Sequence, residues 1–465
     1  MTALALGGLA FLNTWDFPIY LGLFAAAVVL NAFLLEGWRF ELGLEFLTVG
    51  VSLGLAGIAL YLPFYLTFAS QANGFLPSLI FFTRGVHFWI MFGVLLLPIL
   101  AWLVWTWTRR GSLNGMIAGG SFAVVVIGGL WLLSILYGFF RLSADPTLAG
   151  IWGALNGQGL ILASVIQRAA SPGTWLALLV LITLAWGLLY AYRFRIADIP
   201  GPASMVDDPD RKPAGFPDSF VLLLFMVGVA LVVFPEFFYL RDQFGYRMNT
   251  IFKFYFQSWI IWGLVAGYGS AVLLQEMRGS WRFVFYVAWA LLVIVALPYS
   301  YFGIGSRTNM LQPAQWSLDG AAYIQNYAPE EMDAIHWLQQ APYGVVAEAI
   351  GGSYTSYARV STNSGLPTVL GWPGHESQWR GGAEEMGSRE PDIASLFRTK
   401  DWAQASKILQ KYSIRYIYVG PMERREYRPN ESLFQQHMST VFHNNSVTIY
   451  EYQLIDSQQG QALNP

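Results

Sequence analysis

Long apolar runs fill the first two thirds of the chain, and from residue 303 onward they give way to short segments with charges, prolines and glycines. A helix that crosses a bilayer needs about 20 consecutive apolar residues. Eight such runs are predicted, at about 17–35, 42–68, 86–107, 115–139, 172–192, 217–235, 251–274 and 283–302. The sequence therefore predicts a polytopic α-helical membrane bundle over residues 1–302 and a small α/β domain over residues 303–465.

The first apolar stretch, residues 1–12, is too short to be a span of its own. As a helix it would be about 18 Å long, whereas the hydrocarbon core of a bilayer is about 30 Å thick. It has the character of the end of a helix whose beginning is missing. We therefore expect the bundle to be N-terminally incomplete.

Lysine and arginine in the connections predict the orientation of the bundle, because cytoplasmic loops are enriched in both residues. One set of alternate connections carries nine of them and the other set carries six. We expect the richer set to be cytoplasmic, which makes the α/β domain extracytoplasmic. Residues 148–168 could form a ninth span, but that span would put Arg109 and Arg193 on opposite sides. We expect an interfacial or re-entrant helix there.

Composition narrows the function classes. Charged residues make up 12% of the chain, about half the usual share in soluble domains, so the lipid bilayer is the expected surrounding. The net charge of −2 indicates no nucleic-acid partner. Cysteine is absent, which excludes disulfides, thiol catalysis and cysteine-ligated metals. No Walker A, dinucleotide-binding or zinc-protease pattern occurs. No cofactor is evident, and a divalent cation is left open.

The densest polar patch of the membrane half lies at residues 235–253. Its members are Glu236, Arg241, Asp242, Arg247, Asn249 and Lys253. Ionisable side chains at membrane depth cost about 2.5–3.5 kcal/mol each, so they usually pair or bind something. One interpretation is a site for phosphate or sugar, in which arginine offers a fork of donors and lysine a point charge. The other is a loop held by ion pairs, with Lys253 reaching the interface.

Three further polar residues open spans on the same predicted side. Asp16 follows a break in the apolar run and could be a base, a metal ligand or an acceptor for a sugar hydroxyl, or simply a helix cap. Arg84 and His87 lie one turn apart and could face one ligand, although a lone interfacial histidine is more often structural.

The pattern Asp208-Pro-Asp210 lies in a proline-rich segment that we interpret as a solvated linker.

The region after residue 303 alternates short helical and extended patterns. Helices are predicted at 329–340, 353–361 and 401–412, strands at 345–350, 368–370 and 415–419, and hairpin strands at 441–443 and 447–452 around Asn444 and Asn445. This order predicts a small α/β sandwich.

A loop is predicted at residues 365–382, where five glycines and two prolines accompany several functional side chains. The candidates are Trp372, His375, Glu376, Gln378, Trp379 and Arg380. The two tryptophans could stack on sugar rings or close over a lipid head group, and His375 and Glu376 could act as acid and base or hold a metal. The alternative is an ordered loop packed on the membrane face, since tryptophan favours interfaces.

Four segments carry a resemblance to a known family. They are LNTWDFP at 12–18, RDQFGYRMNTIFKFYFQSW at 241–259, EAIGGSYTSYARVSTNSGLPTVLGWPGHESQWRGG at 348–382 and YIYVG at 416–420. In these segments the chain resembles the YYY family of polytopic prokaryotic membrane proteins, which is thought to be related to the GT-C glycosyltransferases. The resemblance is to the C-terminal portion of that family, whose members have a preceding membrane half with an acidic first outer loop.

The resemblance implies a GT-C-like glycosyltransferase, or the remnant of one, in a prokaryotic plasma membrane. It would transfer a sugar from a polyprenyl-phosphate lipid at the outer face. Arg241, Arg247 and Lys253 would hold the phosphate, and Asp16 would be the base, unless a partner chain supplies that group with the missing N-terminal half. Two alternatives stay open: a non-catalytic membrane scaffold and, less favoured because mid-span positions are nearly all apolar, a lipid or sugar transporter.

Overall fold

The computed structural model contains two compact units, each with its own hydrophobic core. The structure describes residues 1–68, 74–141, 145–146, 148–150, 159–197, 216–242, 245–312, 316–380 and 382–453. The membrane unit contains the described residues up to Met310, and the second unit contains those from Leu311 onward.

The membrane unit is built almost entirely from helices. Its elements are α1 (Thr2–Leu12), α2 (Asp16–Glu36), α3 (Phe40–Leu60), α4 (Leu62–Tyr65), β1 (Phe75–Pro77), α5 (Gly85–Arg110), α6 (Leu113–Arg141), α7 (Leu160–Ala169), α8 (Gly173–Ala197), α9 (Phe216–Phe237), β2 (Phe238–Leu240), α10 (Met248–Glu276) and α11 (Gly279–Arg307). Among the described residues, eight helices are long and apolar enough to cross a membrane: α2, α3, α5, α6, α8, α9, α10 and α11. They confirm the predicted polytopic bundle.

Contacts between helix ends fix the directions of the central helices. Gly85 at the start of α5 lies against Gly173 at the start of α8, so these two helices begin on the same side. The backbone N–H of Thr83, just before α5, donates to Glu236 near the end of α9. At the other end, Arg110 of α5 donates to Asp218 near the start of α9. The bundle therefore has two polar ends, the Glu236 end and the Asp218 end.

Glycines and aromatic rings set the packing between these helices. A Cβ on Gly115 of α6 would meet the carbonyl oxygen of Gly187 of α8 at 2.7 Å, so the two backbones touch there. In the core, the ring of Trp262 stacks on Phe225 at 5.5 Å and meets Phe92 edge-on at 4.9 Å. The indole N–H of Trp262 donates to the carbonyl of Phe225 at 3.1 Å, which satisfies its one polar group.

The second unit is an α/β fold. Its elements are α12 (Ala322–Tyr327), α13 (Pro329–Gln340), β3 (Val345–Ala347), α14 (Arg359–Ser364), α15 (Pro373–Trp379), a 3-10 turn (Glu384–Met386), α16 (Arg389–Arg398), α17 (Trp402–Lys411), β4 (Ile414–Val419), α18 (Pro421–Tyr427), α19 (Glu431–His437), β5 (Ser439–His443) and β6 (Thr448–Glu451). The sheet order is β3-β4-β6-β5; β3 and β4 are parallel and the other pairs antiparallel. Ile417 and Tyr418 of β4 belong to two different core clusters, so both faces of the sheet are covered.

Three predicted elements of the second unit differ from the structure. The predicted helix 353–361 begins later, at Arg359, after Tyr354 and Ala358 adopt positive φ values that interrupt a helix. The predicted strand 368–370 is a single bridge between Thr368 and Val346. The predicted loop 365–382 contains α15, because Pro373 in its first turn is compatible with a helix start.

Candidate functional site

Asp16 lies at the break between α1 and α2. Its Oδ1 accepts hydrogen bonds from the side-chain amides of Asn13 at 3.0 Å and Gln257 at 2.7 Å. The carbonyl oxygen of the Gln257 amide accepts the hydroxyl of Tyr20 at 2.7 Å, which fixes the orientation of that amide. No hydrogen bond from the described residues reaches Oδ2 of Asp16. The carboxylate is therefore anchored through one oxygen and presents the other.

A polar stripe on α10 leads to this carboxylate. Asn249, Lys253 and Gln257 are spaced four residues apart, so they follow one another along the same side of the helix. Asn249 and Lys253 are half-buried, whereas Gln257 is buried. Phe252 and Phe256 on the adjoining face are 67% and 55% exposed, as expected for a lipid-facing surface. The polar stripe, Asn249–Lys253–Gln257, thus borders the lipid.

Arg247 lies close to the polar stripe but is engaged elsewhere. The carboxylate of the fully buried Glu236 accepts from Arg247 Nη1 at 2.8 Å and from the Thr83 hydroxyl at 2.5 Å. Arg247 also donates to the carbonyl of Pro235 and to the Thr83 hydroxyl, and the Tyr255 hydroxyl lies 3.0 Å from that hydroxyl. For Arg247 the structure favours the interpretation of a loop held by ion pairs.

Arg241 is also in an ion pair, with Asp145 at 3.1 Å. The side chain of Asp145 is fully buried, and Arg141 approaches the same carboxylate at 3.8 Å. The partner is therefore not the neighbouring Asp242, which is half-buried and has interactions of its own. These pairs tie the turn after β2 to the region around Asp145.

Arg84 and His87 lie at the Glu236 end of the bundle, where α5 begins. Both side chains are exposed. No hydrogen bond or ion pair within the described part of the chain involves either side chain. The structure leaves both open to solvent, lipid or a ligand.

The Asp218 end contains a polar network that the sequence did not single out. One carboxylate oxygen of Asp218 accepts from Arg110 and from the Tyr192 hydroxyl, both at 2.7 Å, and the other accepts from the Tyr268 hydroxyl at 2.7 Å. Four helices are joined in this way. Only the positions of arginine and aspartate near span ends hinted at it, because the tyrosines lie within apolar runs.

In the second unit, the candidates of residues 372–380 fall on and beside α15. The ring of His375 contacts the rings of Trp372 and Tyr354, with centroids at 5.2 and 4.8 Å. Trp379 is 50% exposed, and Gln378 is half-buried and has interactions. A surface chain of ion pairs runs from Glu376 to Arg380 at 2.7 Å and on to Glu385 at 3.0 Å. The exposed aromatic partner, Tyr354, was not among the predicted residues.

Charged residues also occupy the core of the second unit. Arg359 pairs with Glu331 at 2.5 Å and with Glu423 at 3.2 Å. Burial alone would lower the pKa of Arg359, but the charges of Glu423 and Glu331 and the Tyr418 hydroxyl outweigh it and raise the pKa. Such a network is costly to break, because either partner would be left buried and charged.

Glu348 follows β3 and is 1% exposed. Its two oxygens accept the backbone N–H groups of Val360 at 2.9 Å and Ser361 at 2.8 Å. Burial raises the pKa of Glu348; the hydrogen bonds from Ser361 and Val360 oppose that rise, and the charge of Glu423 adds to it. The carboxyl group thus connects β3 to the start of α14.

Metal ligation has little support within the described residues, where no three His, Asp or Glu side chains converge. The D-x-D pattern at Asp208 and Asp210 lies outside the described residues, as does most of 148–158. The described part of 148–168 includes the ten-residue helix α7, whose Arg168 donates to the carbonyls of Ser78, Leu79 and Glu236.

The membrane unit matches a known family. The family model described as "Uncharacterized membrane protein (DUF2298)" matches residues 1–262, which is more than half of the 465 residues. The match includes Asp16, Lys253 and Gln257. No curated protein and no solved structure gives a significant match to the chain.

Proposed function

The chain belongs to the uncharacterized membrane protein family DUF2298, and we propose that it acts as a GT-C-like membrane glycosyltransferase. In this proposal it transfers a sugar from a polyprenyl-phosphate donor to an acceptor hydroxyl. The observation that carries the proposal is the Asp16 carboxylate, which is anchored through Oδ1 and open at Oδ2. The resemblance to the YYY family adds support, since it implies the same class of reaction.

Asp16 has the geometry of a general base. The amides of Asn13 and Gln257 hold Oδ1, so Oδ2 is oriented without being occupied by a described residue. A positioned base of this kind contributes about 10²–10⁴-fold to a proton-transfer step. In the proposed step, the acceptor hydroxyl gives its proton to Oδ2 as its oxygen bonds to the anomeric carbon. The bond from that carbon to the phosphate breaks, and the electron pair leaves with the polyprenyl phosphate.

Lys253 is the residue that fits the phosphate. It lies one helical turn before Gln257, whose amide donates to Asp16. No ion pair among the described residues involves Lys253, in contrast to Arg241 and Arg247. A lysine ammonium can neutralise the charge that develops on a leaving phosphate. The phosphate-binding role thus belongs to Lys253, with Asn249 as a neutral partner.

An apolar cavity next to α10 would receive the hydrocarbon chain of the donor lipid. A lateral cavity of about 480 Å³ lies between α5, α10 and α11, and its walls are mostly apolar. Gly267 lines this cavity and is fourteen residues after Lys253, which is nearly four helical turns and about 21 Å along the same side of α10. A lipid whose phosphate meets Lys253 can therefore extend along α10 into the cavity.

The proposal also includes the membrane in which the protein lies and the side that each end faces. The charge asymmetry of the connections supports a multi-pass protein of a prokaryotic plasma membrane with the Glu236 end and residues 303–465 outside the cytoplasm. Arg84 and His87, exposed at that end, would then meet lipid head groups or the acceptor.

Native mass spectrometry of the detergent-purified chain tests the donor site. Undecaprenyl phosphate is added, and bound lipid is measured for the wild type, Lys253→Gln and Arg278→Gln. Arg278 is an exposed arginine beyond the end of α10 that lies far from Asp16, so it controls for loss of one positive charge. We expect Lys253→Gln to weaken binding about tenfold or more, as for loss of one charge-assisted contact, and Arg278→Gln to leave it unchanged. Equal binding by both variants would remove Lys253 from the proposal.

The catalytic role of Asp16 is tested separately. We expect Asp16→Asn to keep lipid binding but to lower sugar transfer from polyprenyl-phosphate hexose to water or an added acceptor about 10²-fold or more. Because asparagine keeps an oxygen for Asn13 and Gln257, the local hydrogen bonds have a substitute acceptor. Unaltered transfer by Asp16→Asn would show that another group is the base.

A further inference from the structure

An exposed aromatic cluster in the second unit has features that packing alone does not explain. Tyr354 is 82% exposed although it lies beside two other rings. Its ring centroid is 5.8 Å from that of Trp372 and 4.8 Å from that of His375. His375 stands nearly perpendicular to both rings, at 88° to Trp372 and 84° to Tyr354. The three side chains form an aromatic cluster in which Tyr354 faces solvent and Trp372 and His375 are half-buried.

One residue of this cluster, Tyr354, has an unfavourable backbone conformation. Tyr354 has φ +59°, in the left-handed region that bulky side chains rarely adopt. Exposing a large aromatic ring and straining its backbone both oppose folding, so neither stabilises the unit by itself. Residues held in such conformations concentrate at ligand-binding sites.

Hydrogen bonds to the backbone and between glycines hold the segments that carry these rings. The indole N–H of Trp372 donates to the carbonyl of Tyr357 at 2.7 Å, which fixes the ring. The N–H of Gly351 points to the carbonyl of Gly371 at 3.4 Å and joins the two loops that carry the rings. Gly351 follows β3 at its carboxyl end, the edge of a parallel strand pair where α/β folds often bind ligands.

Hydrogen-bonding groups border the rings. No hydrogen bond from the described residues reaches the ring nitrogens of His375, which is half-buried. Trp379 lies one turn after His375 on α15 and adds a second exposed ring. Glu376, Arg380 and Glu385 form a chain of charges on the adjoining surface. The site therefore combines aromatic faces with the ring nitrogens of His375 and with the Glu376 carboxylate, one oxygen of which pairs with Arg380.

From this arrangement we propose that Tyr354, Trp372 and His375 form a saccharide-binding site, which would take the pyranose rings of a glycan. Pyranose rings have apolar faces that stack on aromatic rings and an equatorial rim of hydroxyls that needs hydrogen-bonding partners. Tyr354 and Trp372 supply the faces, while His375 and the Glu376 carboxylate supply partners for the hydroxyls. The site lies entirely in the second unit, so it does not depend on the proposed reaction at Asp16.

A bilayer surface is the other class of partner that exposed aromatic rings can meet. The charges beside the rings favour a saccharide, because contact with lipid would bring Glu376 and Glu385 towards the interface and towards anionic head groups. The basic residue Arg380 beside them is already paired with both carboxylates.

Saturation-transfer difference NMR on the full chain in nanodiscs tests the site. The probes are cellopentaose, maltopentaose, mannopentaose and chitopentaose, measured for the wild type, Tyr354→Ala and Tyr343→Ala. Tyr343 is 76% exposed in the same unit but outside the cluster, which makes it the matched control. We expect at least one pentasaccharide to bind, Tyr354→Ala to weaken it roughly tenfold, as for a central aromatic contact, and Tyr343→Ala to leave it unchanged. Absence of transfer to all four probes, or equal binding by both variants, would overturn the proposal.

The absence of cysteine allows a second, independent measurement. A nitroxide attached to Tyr354→Cys in nanodiscs should be accessible to a water-soluble nickel complex, like one attached to Tyr343→Cys. A label at residue 354 that is shielded from the complex and exposed to oxygen would place the cluster in the bilayer and refute a saccharide site.

Discussion

Gln257 on α10 donates its side-chain amide to the carboxylate of Asp16 at 2.7 Å, across 241 residues of sequence. The same side chain accepts the hydroxyl of Tyr20, so one amide joins the start of α2 to the first third of α10. Because the amide can satisfy both groups in only one orientation, the pair determines where Oδ2 of Asp16 points. Gln257 is therefore a positioning residue in the proposed site.

Replacing Gln257 should destabilise the bundle. Gln257→Leu removes one donor to Asp16, which keeps Asn13, and the acceptor of Tyr20. Both groups are half-buried, so each lost hydrogen bond costs about 0.5–1.5 kcal/mol. We expect a lower midpoint of thermal unfolding in detergent. Gln275→Leu, at an exposed position on the same helix, should leave the midpoint nearly unchanged. If the two variants unfold alike, the hydrogen bonds of Gln257 do not contribute to stability.

The buried Glu236–Arg247 ion pair should stabilise the membrane unit through the coupling of its two charges. Arg247→Met leaves Glu236 charged and buried without its cation, which costs about 3–5 kcal/mol. The double variant Glu236→Gln/Arg247→Met removes the unpaired charge and should recover much of that loss. Denaturant titration of the single and double variants measures the coupling. If the double variant loses as much unfolding free energy as the two single variants together, the two side chains are not coupled as an ion pair.

Adjacent glycines on α6 provide a matched test of helix packing. A Cβ at Gly119 would collide with the carbonyl oxygen of Thr183 on α8, whereas a Cβ at Gly120 meets nothing within 4 Å. Gly119→Val should separate α6 from α8 and destabilise the unit by about 1–3 kcal/mol. Gly120→Val should be tolerated, because its side chain points into open space. Thermal unfolding and the yield of folded protein distinguish the two, and similar losses would show that the helices can shift.

The stability of the second unit should depend on the protonation of Glu348. Its folded-state pKa is raised above 4.5, chiefly by burial, so the folded unit binds this proton more tightly than the unfolded chain does. The protonated carboxyl group therefore makes its full contribution to the unfolding free energy below the pKa of the unfolded state. That contribution is lost as the pH rises through the pKa of the folded state. Glu348→Gln, which cannot titrate, should show a smaller fall in unfolding free energy as the pH rises above about 4.5. If the unfolding free energies of the wild type and of Glu348→Gln fall equally with pH, Glu348 is not the source of the pH dependence.

The sequence by itself determined the spans of the membrane unit. Length and apolarity are local properties, and a helix such as α5 or α10 must satisfy its own backbone hydrogen bonds in lipid. Local chemistry also predicted α13, which has Pro329 in its first turn, and α17, whose N-cap Asp401 accepts from the N–H of Ala403 at 2.9 Å. These outcomes need no information from distant residues.

Only the tertiary structure decided which polar groups meet. The sequence offered a phosphate site and an ion-paired loop as alternatives for Arg247, and the choice depended on Glu236 and Thr83, which lie 153 residues apart. The partner of Arg241 is Asp145 rather than the adjacent Asp242. Pairing between distant segments follows from helix packing, which no local pattern records.

In the candidate site, too, the sequence determined some features and only the tertiary structure decided others. Asp16 and Lys253 stood out in the sequence because charge is rare in apolar runs. Gln257 did not stand out, since a neutral amide within a span has no local signature, and Tyr354 was one of 24 tyrosines. Their roles depend on what lies opposite them in space. The sequence determined which groups are costly to bury, and the packing within each unit decided which partners offset that cost.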